Sequence, residues 1–124
     1  MRKDLTEMEE ICKGDSAWQG EVSGTVRHVY YKLLPDGSSD NNFDEFVEGE
    51  ILVTEMTDIA YVPTMRRAVA ILTRTGGVLC HAAIISRELN KPCIVGIREG
   101  IDALSTGDHV TVNATDGIVY RKKE

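Results

Sequence analysis

Two adjacent glycines and a histidine at a predicted helix start form the segment with the clearest capacity for chemistry. Gly76 and Gly77 follow a short apolar run, and Cys80 and His81 open a helix-forming stretch that ends before Pro92. The first turn of a helix presents unpaired amide hydrogens and a partial positive charge, which suit a phosphate group. The same positive end disfavours an imidazolium, so we expect His81 to stay neutral with a lone pair available. These amides would then stabilise a phosphoryl group carried on the ring.

Other interpretations of the same residues carry less weight. His81 could be a partly buried capping residue, with the glycines only forming a turn. A thiol dyad of Cys80 with His81 is disfavoured because neighbours on a helix point about 100° apart. A metal site would require Cys93 and His28 to converge from distant positions without a local ligand pair, so no metal is expected. We interpret His28 as structural and His109 as a surface residue.

Further polar residues near this segment are assigned structural roles. The Gly76-Gly77 pair lacks the Gly-Lys-Ser/Thr of a P-loop, so independent nucleotide binding is not expected. Arg87 falls on the other side of the helix from the histidine and is predicted to make surface contacts. Glu55 and Asp58 could pair as carboxylates, but helix capping and solvation explain them better.

The elements that position this segment follow from apolar spacing. An alternating pattern that begins at residue 20 predicts an early strand, and short buried strands are predicted at 51–53, 68–73 and 92–96. Thr57 or Asp58 caps a predicted helix over 59–68. A terminal hairpin is expected over 110–120, and an exposed loop over 34–42. Two helices that each follow a strand indicate a mixed sheet covered by helices.

The N-terminal residues are interpreted separately from the rest. The spacing of Leu5, Met8, Ile11 and Cys12 fits one apolar face of a short helix, although the stretch could also be a frayed leader. The predicted organisation is therefore a helix or leader over 1–17 and one domain over 18–124.

Composition narrows the possible classes of function. The 124 residues suffice for one domain, and the net charge of −6 argues against nucleic acid or anionic lipid as a partner. No apolar run has the length of a membrane helix. Three widely spaced cysteines indicate no disulfide framework, so we expect a cytoplasmic protein with reduced thiols.

Motifs across residues 18–120 resemble the mobile, or swivelling, phosphohistidine domain of phosphoenolpyruvate-utilising enzymes, and the pattern is closest to the phosphoenolpyruvate synthases. The central motif is Gly-Gly-x-x-Cys-His-Ala-Ala-Ile over 76–84, followed by Arg-Glu-Leu and by Pro-x-x-Val-Gly. Supporting similarities are the Gly-x-x-x-Gly-x-Val run from Gly20, the run from Gly49 to Val53, the Met-Thr-Asp run from Met56, and two C-terminal segments at 104–110 and 117–119.

This resemblance implies a swivelling β/β/α fold, in class α/β, with mixed sheets and helices on one side. It also implies that His81 is transiently phosphorylated. The phosphate-binding candidates are Gly76, Gly77, Cys80, Thr57, Thr73 and Thr75. The implied partners are an ATP-grasp nucleotide-binding domain and a phosphoenolpyruvate- or pyruvate-binding barrel, which would bind ATP or phosphoenolpyruvate and hold magnesium. This chain would be one component of a phosphotransferase and not a complete enzyme.

Some residues depart from the family pattern. Val78 and Leu79 stand where the family has Arg or Met and then Thr, Arg74 stands where Asp or Asn is usual, and Asn90 replaces a glycine. These departures leave one alternative, a non-catalytic interaction or regulatory module that retains the fold. A hydrolase or metal-dependent enzyme that acts alone is a third, weaker hypothesis.

Overall fold

The computed structural model describes residues 7–122, within which the chain forms ten strands and two α-helices. The strands are β1 (Met8–Lys13), β2 (Asp15–Trp18), β3 (Glu21–His28), β4 (Tyr31–Leu33), β5 (Ser39–Asn41), β6 (Ile51–Thr54), β7 (Ala70–Thr73), β8 (Cys93–Val95), β9 (His109–Asn113) and β10 (Ile118–Lys122). The helices are α1 (Val62–Arg67) and α2 (His81–Leu89), and short 3-10 turns occupy Phe43–Glu45, Ile59–Tyr61 and Ile101–Ala103.

Eight strands form one mixed sheet in the order β1-β10-β9-β3-β6-β7-β8-β2. The four central strands run parallel to one another: β3, β6, β7 and β8. The outer strands pair antiparallel with their neighbours: β9, β10 and β1 on one side, and β2 on the other. A parallel pair requires a crossover connection, and α1 and α2 provide the crossovers from β6 to β7 and from β7 to β8. The α/β class and the mixed sheet predicted from the sequence are confirmed.

Two apolar clusters show that the fold has three layers. Alternate residues of the parallel strands face opposite ways, so Val53 belongs to one cluster and its neighbour Leu52 to the other. The cluster with Val53 extends to Val112 in the antiparallel strands, and the cluster with Leu52 extends to Met65 of α1 and Ala83 of α2. Both helices therefore cover one face of the sheet, as the resemblance implied.

The helix predicted near the N-terminus is wrong over the described residues. Residues 8–13 form β1, which pairs with β10, and a bulge interrupts the register between Glu10 and Cys12. The bulge breaks the two-residue alternation, so Met8, Ile11 and Cys12 acquire a spacing that resembles a helix face. Leu5, which contributed to that prediction, lies outside the described residues.

The predicted loop over 34–42 is only partly correct. Its last residues form β5, which pairs with β4 in a small separate hairpin. The side chain of Asp36 accepts hydrogen bonds from the amide and hydroxyl of Ser38, and Gly37 has a φ of +89°. These turn-forming residues join two strands. The segment is polar and exposed, so its sequence was typical of a loop and did not indicate the strand pairing. No helix within the described chain is long and apolar enough to cross a bilayer.

A partly buried ion pair connects β3 to the segment that precedes β6. The Nε and Nη2 atoms of Arg27 donate to the two carboxylate oxygens of Glu50 at 3.0 and 3.1 Å, and the Val47 amide donates at 2.8 Å. Burial alone would raise the pKa of Glu50, but the hydrogen bonds from Arg27 and Val47 outweigh it and leave this pKa below its ordinary value of 4.5. The ionised carboxylate therefore stabilises the folded chain.

We expect this pair to contribute to loss of stability in acid. Because the folded pKa of Glu50 is lowered, its contribution is present above pH 4.5 and is lost as pH falls through the folded value. Glu50→Gln should lower the free energy of unfolding by about 1–3 kcal/mol near neutral pH. The difference from the unmodified chain should shrink as the pH falls below 4.5 and the folded carboxylate becomes protonated, which urea unfolding at a series of pH values would measure. A difference that does not change with pH would contradict the assignment.

Candidate functional site

His81 is the first residue of α2, where the sequence predicted a helix start. Cys80 is the N-cap residue with extended backbone angles, and its carbonyl accepts the first helical hydrogen bond from Ile84 at 3.0 Å. The amides of residues 81–83 therefore precede any intrahelical acceptor and are available at this helix end. At the other end, Asn90 adopts a left-handed conformation with φ +56°, which terminates the helix. Local chain geometry thus creates the predicted set of free amides.

A cavity of about 170 Å³ opens beside the imidazole, which is half-buried. It brings together residues from the loop after β6, from the end of β7 and the loop that follows it, and from the N-cap and first turn of α2. Its lining is Met56, Thr57, Thr73, Thr75, Gly76, Cys80, His81 and Ala82. Of the residues predicted for the site, only Gly77 is outside this lining. Sequence reasoning did not assign Met56 and Ala82 to the site, although each is adjacent in sequence to a predicted residue, Thr57 and His81 respectively.

Thr57 holds the imidazole in place from a neighbouring loop. Its Oγ1 lies 2.9 Å from Nδ1 of His81, and the threonine is almost fully buried. Thr57 follows β6, and the next residue, Asp58, accepts a hydrogen bond from the Ala60 amide at 2.9 Å, which caps the following 3-10 turn. If Nδ1–H donates to Thr57, Nε2 keeps the lone pair and is the nucleophilic nitrogen. The resemblance had offered Thr57 as a phosphate-binding residue.

The loop after β7 is fastened to the loop after β6. The amide and the hydroxyl of Thr75 both donate to the Glu55 carbonyl at 3.0 Å, and the Arg74 amide donates to the Thr54 carbonyl at 3.1 Å. The hydroxyl of Thr73, which is fully buried, donates to the Thr75 carbonyl at 2.7 Å. The hydroxyl protons of Thr73 and Thr75 are thus engaged by carbonyls. In this arrangement both side chains shape the loop, and their role as phosphate ligands stays a prediction.

Gly76 is required at its position for two reasons. Its φ is +105°, and a Cβ there would lie 2.7 Å from the sulfur of Cys80 and 3.2 Å from its Cβ. Gly77, in contrast, has open space around it, and a Cβ at that position would meet no atom within 4 Å. The first glycine therefore allows the loop to approach the N-cap of α2, and the second leaves the outer surface of the loop unobstructed.

The cavity lining, as found among residues 7–122, contains no lysine or arginine. Arg74 turns away from it and pairs with the carboxylates of Glu55 and Asp102, while Arg87 donates to the Val78 carbonyl at 3.2 Å. A phosphoryl group on His81 would therefore meet amide hydrogens from this chain and would need cations from elsewhere. No group of three His, Cys, Asp or Glu side chains within residues 7–122 is arranged to hold a metal ion.

The remaining histidines and cysteines have structural surroundings. Nε2 of His28 is hydrogen bonded to the Leu104 carbonyl, and His109 is exposed, which confirms both sequence interpretations. Burial raises the pKa of the Cys93 thiol to about 12, so this residue is an apolar packing group and a poor nucleophile. Cys80 remains beside the imidazole, where its thiol lines the cavity.

Comparison with protein families and curated proteins gives consistent matches. Residues 46–117 match the family model described as PEP-utilising enzyme, mobile domain. The phosphoenolpyruvate synthase of Pyrococcus furiosus is 44% identical over 119 residues, which cover 96% of this chain and 14% of that protein. The Helicobacter pylori phosphoenolpyruvate synthase is 46% identical over 116 residues, which cover 93% and 13%. The chain thus spans about one-seventh of the length of these relatives.

Solved structures show the same fold. An Enzyme I structure determined by NMR (nEIt) matches with a TM-score of 0.55 and 25% identity, over 65% of this chain and 34% of that one. Aconitase X of Thermococcus kodakaraensis matches with a TM-score of 0.65 and 19% identity, over 91% of this chain and 98% of that one, a likeness of fold alone. The site described above lies within the part of the sequence that matches the family model.

Proposed function

The chain belongs to the family of mobile domains of phosphoenolpyruvate-utilising enzymes, and from this premise we propose that it is a phosphoryl carrier. His81 is the residue that accepts and releases the phosphoryl group. The observation that supports this most directly is the hydrogen-bond distance of 2.9 Å between Nδ1 of His81 and Thr57, at the start of α2. This contact leaves Nε2 without a partner among the described hydrogen bonds, beside an open cavity.

The proposed transfer proceeds by attack of the ring on phosphorus. The Nε2 lone pair of His81 forms an N–P bond while the P–O bond of the donor breaks, and the electron pair of that bond leaves with the donor oxygen. Nδ1 keeps its proton throughout and donates a hydrogen bond to the Thr57 hydroxyl oxygen, which stabilises positive charge on the phosphorylated ring. In the second half, an acceptor oxygen attacks phosphorus and the N–P electrons return to Nε2.

The chain itself supplies orientation and amide hydrogens. The free N–H groups of residues 81–83 and the helix dipole stabilise negative charge on the transferred group. The hydroxyls, thiol and imidazole that line the cavity include no carboxylate, so they do not suit Mg²⁺, which prefers carboxylate and phosphate oxygens. We therefore assign magnesium to the partner that holds the donor.

The partners proposed for this carrier follow from its relatives. Because the chain matches about one-seventh of two phosphoenolpyruvate synthases, the remaining parts of such enzymes are the natural donors and acceptors. We propose an ATP-grasp domain as one partner and a phosphoenolpyruvate- or pyruvate-binding barrel as the other. Three free cysteines among the described residues support the further proposal that the protein works in the reducing cytoplasm.

The carrier proposal is tested by labelling. The chain is incubated with magnesium, radiolabelled phosphoenolpyruvate and the Pyrococcus furiosus phosphoenolpyruvate synthase, and the two proteins are then separated by size. We expect label on this chain that is lost in acid and retained in alkali, the behaviour of a phosphohistidine. Peptide mapping should place the phosphate in the peptide that contains His81. Absence of label from this donor and from a small chemical donor would reject the proposal.

Thr57→Val is expected to slow phosphorylation of His81 by about 10- to 100-fold, by analogy with the loss of a group that orients a metal-bound histidine. Valine preserves the shape of the buried side chain but offers Nδ1 no acceptor, so the preference for the Nδ1–H tautomer is weakened. Nitrogen NMR shifts of the ring would report that change directly. Thr57→Ser keeps the hydroxyl and should restore both the rate and the tautomer. A serine variant as slow as the valine variant would contradict the orienting role.

A further inference from the structure

Most of the exposed apolar side chains belong to the chain segments that line the His81 cavity. Among the described residues, eight large hydrophobic side chains are exposed, and five of them lie within two residues of the cavity lining or belong to it. We call these five the apolar collar: Met56, Ile59, Val78, Leu79 and Ile84. Leu79 and Ile59 are 80% and 82% exposed, so neither contributes to the core of this chain.

Folding of the domain does not explain the collar. In α2, the small residues Ala82 and Ala83 face the sheet and are buried, whereas Ile84 faces outward one turn from His81. Val78 and Leu79 form the outer part of the loop that delivers Cys80 to the helix start. Exposed apolar side chains that flank the segments lining a reactive cavity are typical of a surface that a partner covers.

Charge restricts what can cover this surface. Among the described residues no lysine or arginine lines the cavity, and Arg74 is already paired with two carboxylates. Glu55 and Asp58 are exposed beside the collar, and phosphorylation of His81 would add further negative charge. A partner that seats on the collar must therefore bring cationic groups to its centre and apolar groups to its rim. A phosphate-binding cleft with an apolar mouth has both properties.

We propose that the apolar collar docks on the mouth of the donor cleft of a phosphoenolpyruvate-utilising enzyme and so determines which donor can reach His81. This inference rests on the proposed carrier function and adds the partner surface to it. Docking of the collar excludes water from the reacting atoms and aligns Nε2 with phosphorus. Leu79, the exposed leucine next to the N-cap, is expected to be the main anchor.

The test compares a donor that needs docking with one that does not. Phosphoramidate is a small donor: the Nε2 lone pair forms an N–P bond, the P–N bond of phosphoramidate breaks, and ammonia leaves with its electron pair. The protein donor is the Pyrococcus furiosus phosphoenolpyruvate synthase with radiolabelled phosphoenolpyruvate. Because that enzyme is about seven times longer than this chain, the two labelled proteins separate on a gel. The measured quantity is the ratio of the protein-donor rate to the phosphoramidate rate.

Leu79→Ser and Ile59→Ser should each lower this ratio about tenfold or more, as expected for loss of an interface anchor. The matched control is Leu33→Ser. Leu33 is also an exposed leucine, but it lies on β4 outside the collar, so this substitution should leave the ratio at its original value. Expressing the effect as a ratio removes any loss of folded protein, since both donors act on the same folded fraction.

Each other result has a defined meaning. Equal ratios for Leu79→Ser and Leu33→Ser would overturn the docking proposal while leaving His81 a carrier. Labelling of the unmodified chain by phosphoramidate but not by the enzyme would also overturn it, because the proposed donor would then fail to dock. Labelling by neither donor would reject the carrier function itself. Self-association in sedimentation that Leu79→Ser abolishes would assign the collar to a second copy of this chain and likewise overturn the proposal.

Discussion

His81→Ala is expected to eliminate acid-labile phosphate from this chain altogether, with both the protein donor and phosphoramidate. The imidazole is the one cavity-lining group among the described residues with both a free ring nitrogen and a position at the start of α2. The fold should persist, because His81 is half-buried at a helix end and alanine is a good helix former. The substitution leaves the Thr57 hydroxyl without its ring partner, which costs about 1–3 kcal/mol if the hydroxyl stays buried.

The controls for this experiment use the other histidines. His109→Ala changes an exposed residue and should retain full labelling, whereas His28 is hydrogen bonded to the Leu104 carbonyl and is unsuitable because its loss would disturb the fold. Circular dichroism of each variant verifies folding. Label that persists in His81→Ala would reject the assignment of this residue. The non-catalytic interaction module would be favoured by two results together. The wild-type chain would carry no label, and His81→Ala would leave partner binding and cellular function intact.

Gly76→Val is expected to have the second largest effect, through both stability and transfer. The backbone at Gly76 has a φ of +105°, which a β-branched residue adopts only under strain, and the Cβ would meet the Cys80 sulfur at 2.7 Å. Strain of this type costs about 1–3 kcal/mol before any clash is counted. The loop must also withdraw from the N-cap, and a small misplacement near the reacting atoms can reduce the rate by about 100-fold.

A substitution at Gly37 distinguishes the effect of backbone strain from that of the steric clash with Cys80. Gly37 also has a positive φ, of +89°, but a Cβ there would meet nothing within 4 Å. Gly37→Val should therefore lower the thermal midpoint through strain alone and leave labelling of His81 intact. Gly76→Val should lower both the midpoint and the labelling rate. If Gly76→Val retained the unmodified rate per folded molecule, close approach of this loop to Cys80 would not be needed for transfer.

Regular local patterns allowed most of the fold to be predicted. The strand from residue 21 was visible as alternation, and β6, β7 and β8 as short apolar runs, because strands in a sheet covered on both faces lack polar positions. Prediction failed for β1, where a bulge altered the spacing, and for the β4–β5 hairpin, whose polar residues resembled a loop. In both cases pairing with a distant or weakly apolar partner decided the structure, and local spacing carries no information about that pairing.

The site was predicted in part. The helix start, the glycines and His81 are contiguous in sequence, so their chemistry could be inferred together. The roles of the threonines could not be distinguished in this way, because Thr57, Thr73 and Thr75 are equivalent as residue types. The structure separates them by their partners: Thr57 bonds to the ring, whereas the hydroxyls of Thr73 and Thr75 bond to carbonyls.

The sequence by itself determined that a histidine stands at the positive end of a helix after two glycines, because helix starts and tight turns depend on neighbouring residues. Only the tertiary structure decided that Thr57, 24 positions earlier, would meet that histidine. The parallel pairing of β6 with β7 places the carboxyl ends of both strands at one edge, and the loops that follow them therefore meet. Ile59 and Leu79, which lie in the segments that carry Thr57 and His81, remain exposed in the folded chain, and no local pattern could reveal that exposure.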